Sequence, residues 1–236
     1  HSFPTRRSSD LHIEWAYAPT VHGLWVVPAR GGEPQRLTSD AASYEAPVFS
    51  RDGRALYATR EAVGDRVYNA KKVARIDWPA GGGAAARVLT GEFHRSVTRF
   101  EVAPDGASVY LLAEDAGLEK LYQVASNGGA VHEVGSLSAG CYTNLAVEGE
   151  SGRPVIVSRW ESATHPAEIG RIDPASGRWT ALTRVNAERA AQIDWQPLRQ
   201  LWFTSSTGKR IHNLVALPPN FDASRKYLYG DRKSVV

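Results

Sequence analysis

The sequence predicts an all-β fold, a partial β-propeller of about four blades, each a four-stranded antiparallel sheet. Three observations predict it: a strand-turn-strand unit that recurs along the chain, a glycine-bearing motif interleaved with it at a similar period, and a composition that favours strands. The clearest unit is Phe100 to Asp115, where Pro104-Asp105-Gly106 has the chemistry of a tight hairpin turn. Pro presets φ, Asp bonds its own backbone, and Gly takes a positive φ. The run that follows, Val109-Tyr110-Leu111-Leu112-Ala113, is apolar at consecutive positions, as a central strand covered on both faces requires.

Each further element follows from a copy of these two motifs. Ala46 to Glu61 repeats the first, with Asp52-Gly53 standing 53 positions before Asp105-Gly106. Leu145 to Glu161 keeps Gly152 and the strand Pro154-Val155-Ile156-Val157, and Ile193 to Ser205 keeps only Asp194-Trp195 and Leu201-Trp202-Phe203. The second motif pairs Leu24-Trp25-Val26-Val27 with Gly31-Gly32, Ala74-Arg75-Ile76-Asp77 with Gly81-Gly82, Leu121-Tyr122-Gln123-Val124 with Gly128-Gly129, and Ile169 to Asp173 with Gly177. A period of about 40 to 50 residues built of short strands is the signature of a propeller blade. Since a blade buries both faces against neighbours, a partial ring leaves open edges, and self-association through them is expected.

Composition agrees. A chain of 236 residues with 42% hydrophobic content is long enough for a sizeable core, and its seven Trp, nine Tyr and six Phe suit strands. Cys141, the one cysteine, allows no internal disulfide and reads as a small buried hydrophobe. No apolar run approaches the roughly 18 residues of a membrane span, so no membrane partner is expected.

The ends read differently from the blades. His1 to Leu11, His-Ser-Phe-Pro-Thr-Arg-Arg-Ser-Ser-Asp-Leu, lacks the apolar middle of a signal peptide and resembles the translation of a common sequencing adapter. Asp231 to Val236 resembles the translation of its reverse complement. The expectation is a natural segment from about His12 to Gly230, flanked by residues 1–11, a tail without fixed structure, and by the adapter-like tail 231–236. These tails carry a net +2 of the chain's formal +3, leaving about +1 between them. The short basic cluster Lys71-Lys72 with Arg75 is then a solvated strand end, and no nucleic-acid partner is expected.

Motifs that carry chemistry are missing. There is no Gly-x-Ser-x-Gly nucleophile turn and no His-Glu-x-x-His. Gly208-Lys209 is followed by Arg210, where a phosphate loop needs Ser or Thr. No catalytic, cofactor-binding or metal-binding residue is assigned, and no cofactor is expected. His165, close to Glu161, is the most site-like histidine but has no nucleophile in local reach. Glu114, Asp115 and Glu119, gathered after one strand, are weak candidates for holding a cationic peptide terminus.

The join from Ile193 to Tyr227 carries more specific information. Leu201-Trp202-Phe203-Thr204-Ser205-Ser206 reads as a last blade strand, and Lys209 to Leu217 as a new strand running into Pro218-Pro219-Asn220-Phe221-Asp222 and then Ser224-Arg225-Lys226-Tyr227. This resembles the passage from propeller to catalytic domain in the prolyl oligopeptidase family of serine peptidases, in the branch of acylaminoacyl-peptidases and dipeptidyl-peptidase-like enzymes. The resemblance covers roughly Ile13 to Tyr227 and departs at Leu228-Tyr229-Gly230, where the family continues with Pro and an apolar strand. It implies a partial propeller over residues 12–206 and the first strands of an α/β-hydrolase domain over 207–230. It further implies an intact enzyme that hydrolyses short peptides, with the propeller gating access and the catalytic Ser, Asp and His beyond this chain. No peptidase activity is expected of the chain alone. The alternative is a non-enzymatic propeller used for binding, like the periplasmic TolB type. The compartment is left open.

Overall fold

The computed structural model describes residues 21–64 and 69–227. The two adapter-like tails and Leu228-Tyr229-Gly230 lie outside the described residues. Among the described residues, sixteen strands and one short helix follow in order. β1 (Trp25–Val26) pairs with β2 (Gln35–Arg36). The first complete blade is β3 (Ala42–Phe49), β4 (Ala55–Ala62), β5 (Lys72–Asp77) and β6 (Arg87–Val88). The second is β7 (Val97–Val102), β8 (Ser108–Asp115), β9 (Leu118–Ala125) and β10 (His132–Glu133). The third is β11 (Cys141–Glu150), β12 (Arg153–Ser162), β13 (His165–Ile172) and β14 (Trp179–Ala181). Helix α1 (Ala187–Ala190) leads to the hairpin β15 (Arg199–Thr204) and β16 (Arg210–Val215).

Within each blade the strands run antiparallel in sequence order, as short connections dictate. The second and third blades touch edgewise at a single parallel bridge, Cys141 to Glu119. The repeated motif therefore builds three complete blades, with a two-stranded piece at either end. The first strand of every blade carries an irregularity, between Glu45 and Val48, Val97 and Arg99, and Thr143 and Ala146. Ala46 and Asn144 sit there with φ of 50° and 53°. A bulge bends and twists its strand, and its recurrence gives three blades the same local shape.

The core lies between blades. Leu24 and Leu37 pack with Leu56 and Ile76 between β1–β2 and the first blade. Tyr57 and Val73 meet Phe100, Val109 and Leu111 between the first and second. Tyr110, Leu112 and Leu121 meet Leu145, Ile156 and Ile172 between the second and third. Strand β8 shows why its sequence is apolar throughout. Its odd positions face one neighbour and its even positions the other, and Val109 to Ala113 are all at most 3% exposed. Each large side chain buried this way contributes about 2 kcal/mol, so stacking of blades dominates stability. On its other face the third blade exposes Val155, Ile169 and Leu182.

The segment Ile193 to Ser205 contributes β15, which pairs with β16 rather than with a blade. The expected division between residues 206 and 207 falls in the turn of this hairpin, closed by Lys209 N–H donating to Ser205 Oγ and by Gly208 at φ 78°. Six register pairs make the two strands one hydrogen-bonded unit, from Arg199–Val215 to Thr204–Arg210.

Candidate functional site

The β8–β9 hairpin places the three carboxylates singled out in the sequence. Its turn, Ala116-Gly117, takes positive φ at both positions, 54° and 77°, the pairing that suits the twist of a two-residue hairpin. Glu114 then stands directly opposite Glu119, and Asp115 opposite Leu118. Because side chains alternate across a strand, Glu114 and Glu119 share the face turned toward the third blade and Asp115 points to the other.

Asp115 is fully engaged within its blade. Its carboxylate accepts from Arg95 Nη2 at 2.5 Å and Lys120 Nζ at 3.0 Å, and Lys120 also reaches Glu133 at 3.2 Å. The hydrogen bond from Arg95 holds the Asp115 carboxyl below its ordinary range, with Lys120 adding to the effect. Glu119 behaves oppositely. Burial raises its carboxyl, the nearby Glu114 charge adds to the rise, and a hydrogen bond from Thr98 Oγ1 works against it. The structure thus brings Glu114 and Glu119 together and sends Asp115 to a separate ion-pair network.

Beside this pair runs a groove of about 380 Å³, between the rims of the second and third blades and the β15–β16 hairpin. Leu118, Cys141, Glu161 and Thr164 line one wall, and Leu198 and Leu214 the other. The hairpin seats closely here: a Cβ on Gly117 would lie 2.9 Å from Leu214 Cδ1. Cys141 is half-buried and unpaired in this wall. His165 lies at its margin with Nδ1 3.0 Å from Thr164 Oγ1 and its ring 5.4 Å from that of Trp160. The contact is between sequence neighbours, with no carboxylate orienting the ring, so it does not form a catalytic triad. Among the described residues no three His, Cys, Asp or Glu side chains gather as metal ligands would.

The basic cluster is dispersed. Lys71 pairs with Glu45, Lys72 donates to the Phe93 carbonyl, and Arg75 pairs with Asp77 at 2.8 Å. Sequence reading missed the hairpin's contribution to the groove, because Leu198 and Leu214 lie far along the chain from Leu118.

No family model matches the sequence. It is 21% identical over 210 residues to dipeptidyl-peptidase 5 of Porphyromonas gingivalis, an alignment that covers 88% of this chain. The chain is also similar in fold to Pyrococcus horikoshii acylaminoacyl peptidase, with a TM-score of 0.63 at 17% identity over 81% of this chain. These likenesses support the resemblance to the propeller regions of prolyl oligopeptidase-type peptidases. It spans 29% of the length of the Porphyromonas protein and 27% of the Pyrococcus one. The β-propeller domain of a trilobed protease from Pyrococcus furiosus matches as well, with a TM-score of 0.53 at 16% identity over 72% of this chain and 49% of that one. The propeller expected from the repeat is thus matched by a solved propeller domain.

Proposed function

We propose that this chain is the access-controlling propeller portion of a serine peptidase acting on short peptides, with the β15–β16 hairpin as the opening of its hydrolase domain. The observation that carries the proposal is the hairpin. It joins no blade, it seats on the rim beside the Glu114–Glu119 pair, and it leaves Leu201, Trp202, Phe203 and Leu214 between 44% and 54% exposed. Large apolar side chains on both faces of a two-stranded ribbon call for further structure to cover them. In a peptidase of this family a serine attacks the peptide carbonyl, a histidine takes its proton, and an acyl-enzyme forms and is hydrolysed. The residues of this chain would act on the substrate's other end. Glu114 and Glu119 present two carboxylates to one face, the arrangement that suits a protonated peptide amino terminus.

The test extends the chain with the sequence downstream of Tyr227 at its source locus. The extended protein is expected to react with a fluorophosphonate probe and to cleave chromogenic dipeptide substrates, and the 236-residue chain to do neither. An extended protein that neither labels nor turns over would overturn the proposal.

A further inference from the structure

The two junctions between complete blades are built on the same pattern and finished differently. Tyr57 and Tyr110 each lie four residues after the glycine of an Asp-Gly turn and face the next blade. Opposite Tyr57 on β5 stands Arg75, and opposite Tyr110 on β9 stands Gln123. In the first junction the Arg75 guanidinium lies 5.9 Å from the centre of the Tyr57 ring and donates Nη1 to the Ser126 carbonyl of the next blade at 3.1 Å. Asp77 anchors it through Nε at 3.0 Å and Nη2 at 2.8 Å. That cation bridges the two blades at this end of the junction.

In the second junction the cation and its anchor are both missing. Gln123 stands in the place of Arg75, and Ala125, two residues on, in that of Asp77. Gln123 is too short to cross, and its Nε2 donates to Ser108 Oγ of its own blade at 3.0 Å. A groove of about 450 Å³ remains, with Tyr110 and Gln123 on one side, Glu150 and Pro154 on the other, and Asp105 and His132 at its rim.

We propose that this groove binds a guanidinium group, the arginine side chain of a peptide or protein partner, in the position that Arg75 fills one junction earlier. The Tyr110 ring supplies an aromatic surface, as Tyr57 does for Arg75. Glu150 and Asp105 supply the carboxylates that Asp77 supplies there, and the Gln123 carbonyl, its amide nitrogen already committed, is available as an acceptor. A planar, weakly hydrated guanidinium suits such a slot better than the compact, strongly hydrated ammonium of lysine. The groove opens at the Asp-Gly-turn end of the blades, whereas the hairpin groove lies at the β8–β9-turn end, so it stands independently of the peptidase reading.

The test titrates the 236-residue chain with N-acetyl-L-arginine amide and with the uncharged isostere N-acetyl-L-citrulline amide, following chemical shifts or heat. The arginine compound is expected to bind saturably at millimolar concentration, and the citrulline compound about tenfold more weakly, since charge-assisted hydrogen bonds are lost. Gln123→Arg supplies the cation from within and should abolish binding while raising Tm by about 3 °C. Glu150→Gln, at an exposed position, should fold normally and weaken binding about fivefold. Equal affinity for the two compounds, no saturable binding of the arginine compound, or affinity unchanged in both variants would each overturn the proposal.

Discussion

Glu114 and Glu119 face each other directly across the β8–β9 hairpin, while Asp115, one residue from Glu114, points to the opposite face and is held by Arg95 and Lys120. Two like charges opposed on one sheet face oppose folding, typically by about 0.5 kcal/mol. Glu119 and Asp115, on opposite faces, answer to pH in opposite directions.

For Glu119 the folded-state carboxyl is raised by burial, so its contribution to stability is fully present below the ordinary glutamate value of 4.5 and is lost as pH rises through the raised value. Glu119→Gln removes that dependence while keeping an acceptor for Thr98. Urea unfolding should find the variant more stable than the parent by about 0.5 kcal/mol at pH 7, with the difference closing at pH 4. A variant less stable at pH 7 would show that the ionised carboxylate is stabilising.

Asp115 carries the reverse dependence. Its folded-state carboxyl is lowered by Arg95 and Lys120, so its stabilisation is present above the ordinary aspartate value of 3.8 and is lost as pH falls through the lowered value. Asp115→Asn should cost about 1 kcal/mol at pH 7, because Arg95 and Lys120 both lose an anionic partner in a partly exposed network. The cost should vanish in strong acid. Equal cost at both pH extremes would mean that packing, not charge, is responsible.

The blades were legible because their turns are. Asp52-Gly53 and Asp105-Gly106 announce hairpins locally, and the continuous apolar run of β8 announces burial on both faces. The sorting of the carboxylates depended on a turn less easily read: once Ala116-Gly117 is the two-residue loop, strand alternation alone puts Glu114 with Glu119 and Asp115 apart. Lys71, Lys72 and Arg75 looked like one cluster because they are neighbours in sequence, yet their partners, Glu45, Phe93, Asp77 and Ser126, come from β3, β5 and two loops. Leu201-Trp202-Phe203 has the composition of a blade strand, and only its pairing with β16 shows that it lies outside the three complete blades.

Gly135 and Gly177 mark a backbone contact between the bend that follows β10 and the third blade's β13–β14 turn. A Cβ on Gly177 would lie 2.2 Å from Gly135 Cα, and both residues have positive φ, 68° and 80°. Gly152, at φ 73°, has nothing within 4 Å of such a Cβ. Gly152→Ala should therefore cost only conformational strain, about 1 kcal/mol. Gly177→Ala adds a main-chain clash that no side chain can relieve and should cost about 3 kcal/mol or more. Thermal unfolding of the two variants should differ by several degrees, and equal Tm values would show that the blade contact yields freely.

The exposed hairpin makes opposite predictions in two contexts. Every residue of β15 is exposed, with Leu201 at 53% and Phe203 at 54%, so Leu201→Lys with Phe203→Lys should leave the stability of the 236-residue chain within about 0.5 kcal/mol of the parent. Binding of a hydrophobic dye and aggregation on concentration should both fall, because an apolar patch is replaced by charge. In a protein extended beyond Tyr227, where a hydrolase sheet would cover these side chains, the same pair should cost about 2 kcal/mol for each residue buried. Paired unfolding experiments on the two lengths would decide between them. Equal tolerance at both lengths would remove the hairpin as the opening of a second domain, whereas a loss of stability already in the short chain would make β15 part of the propeller core.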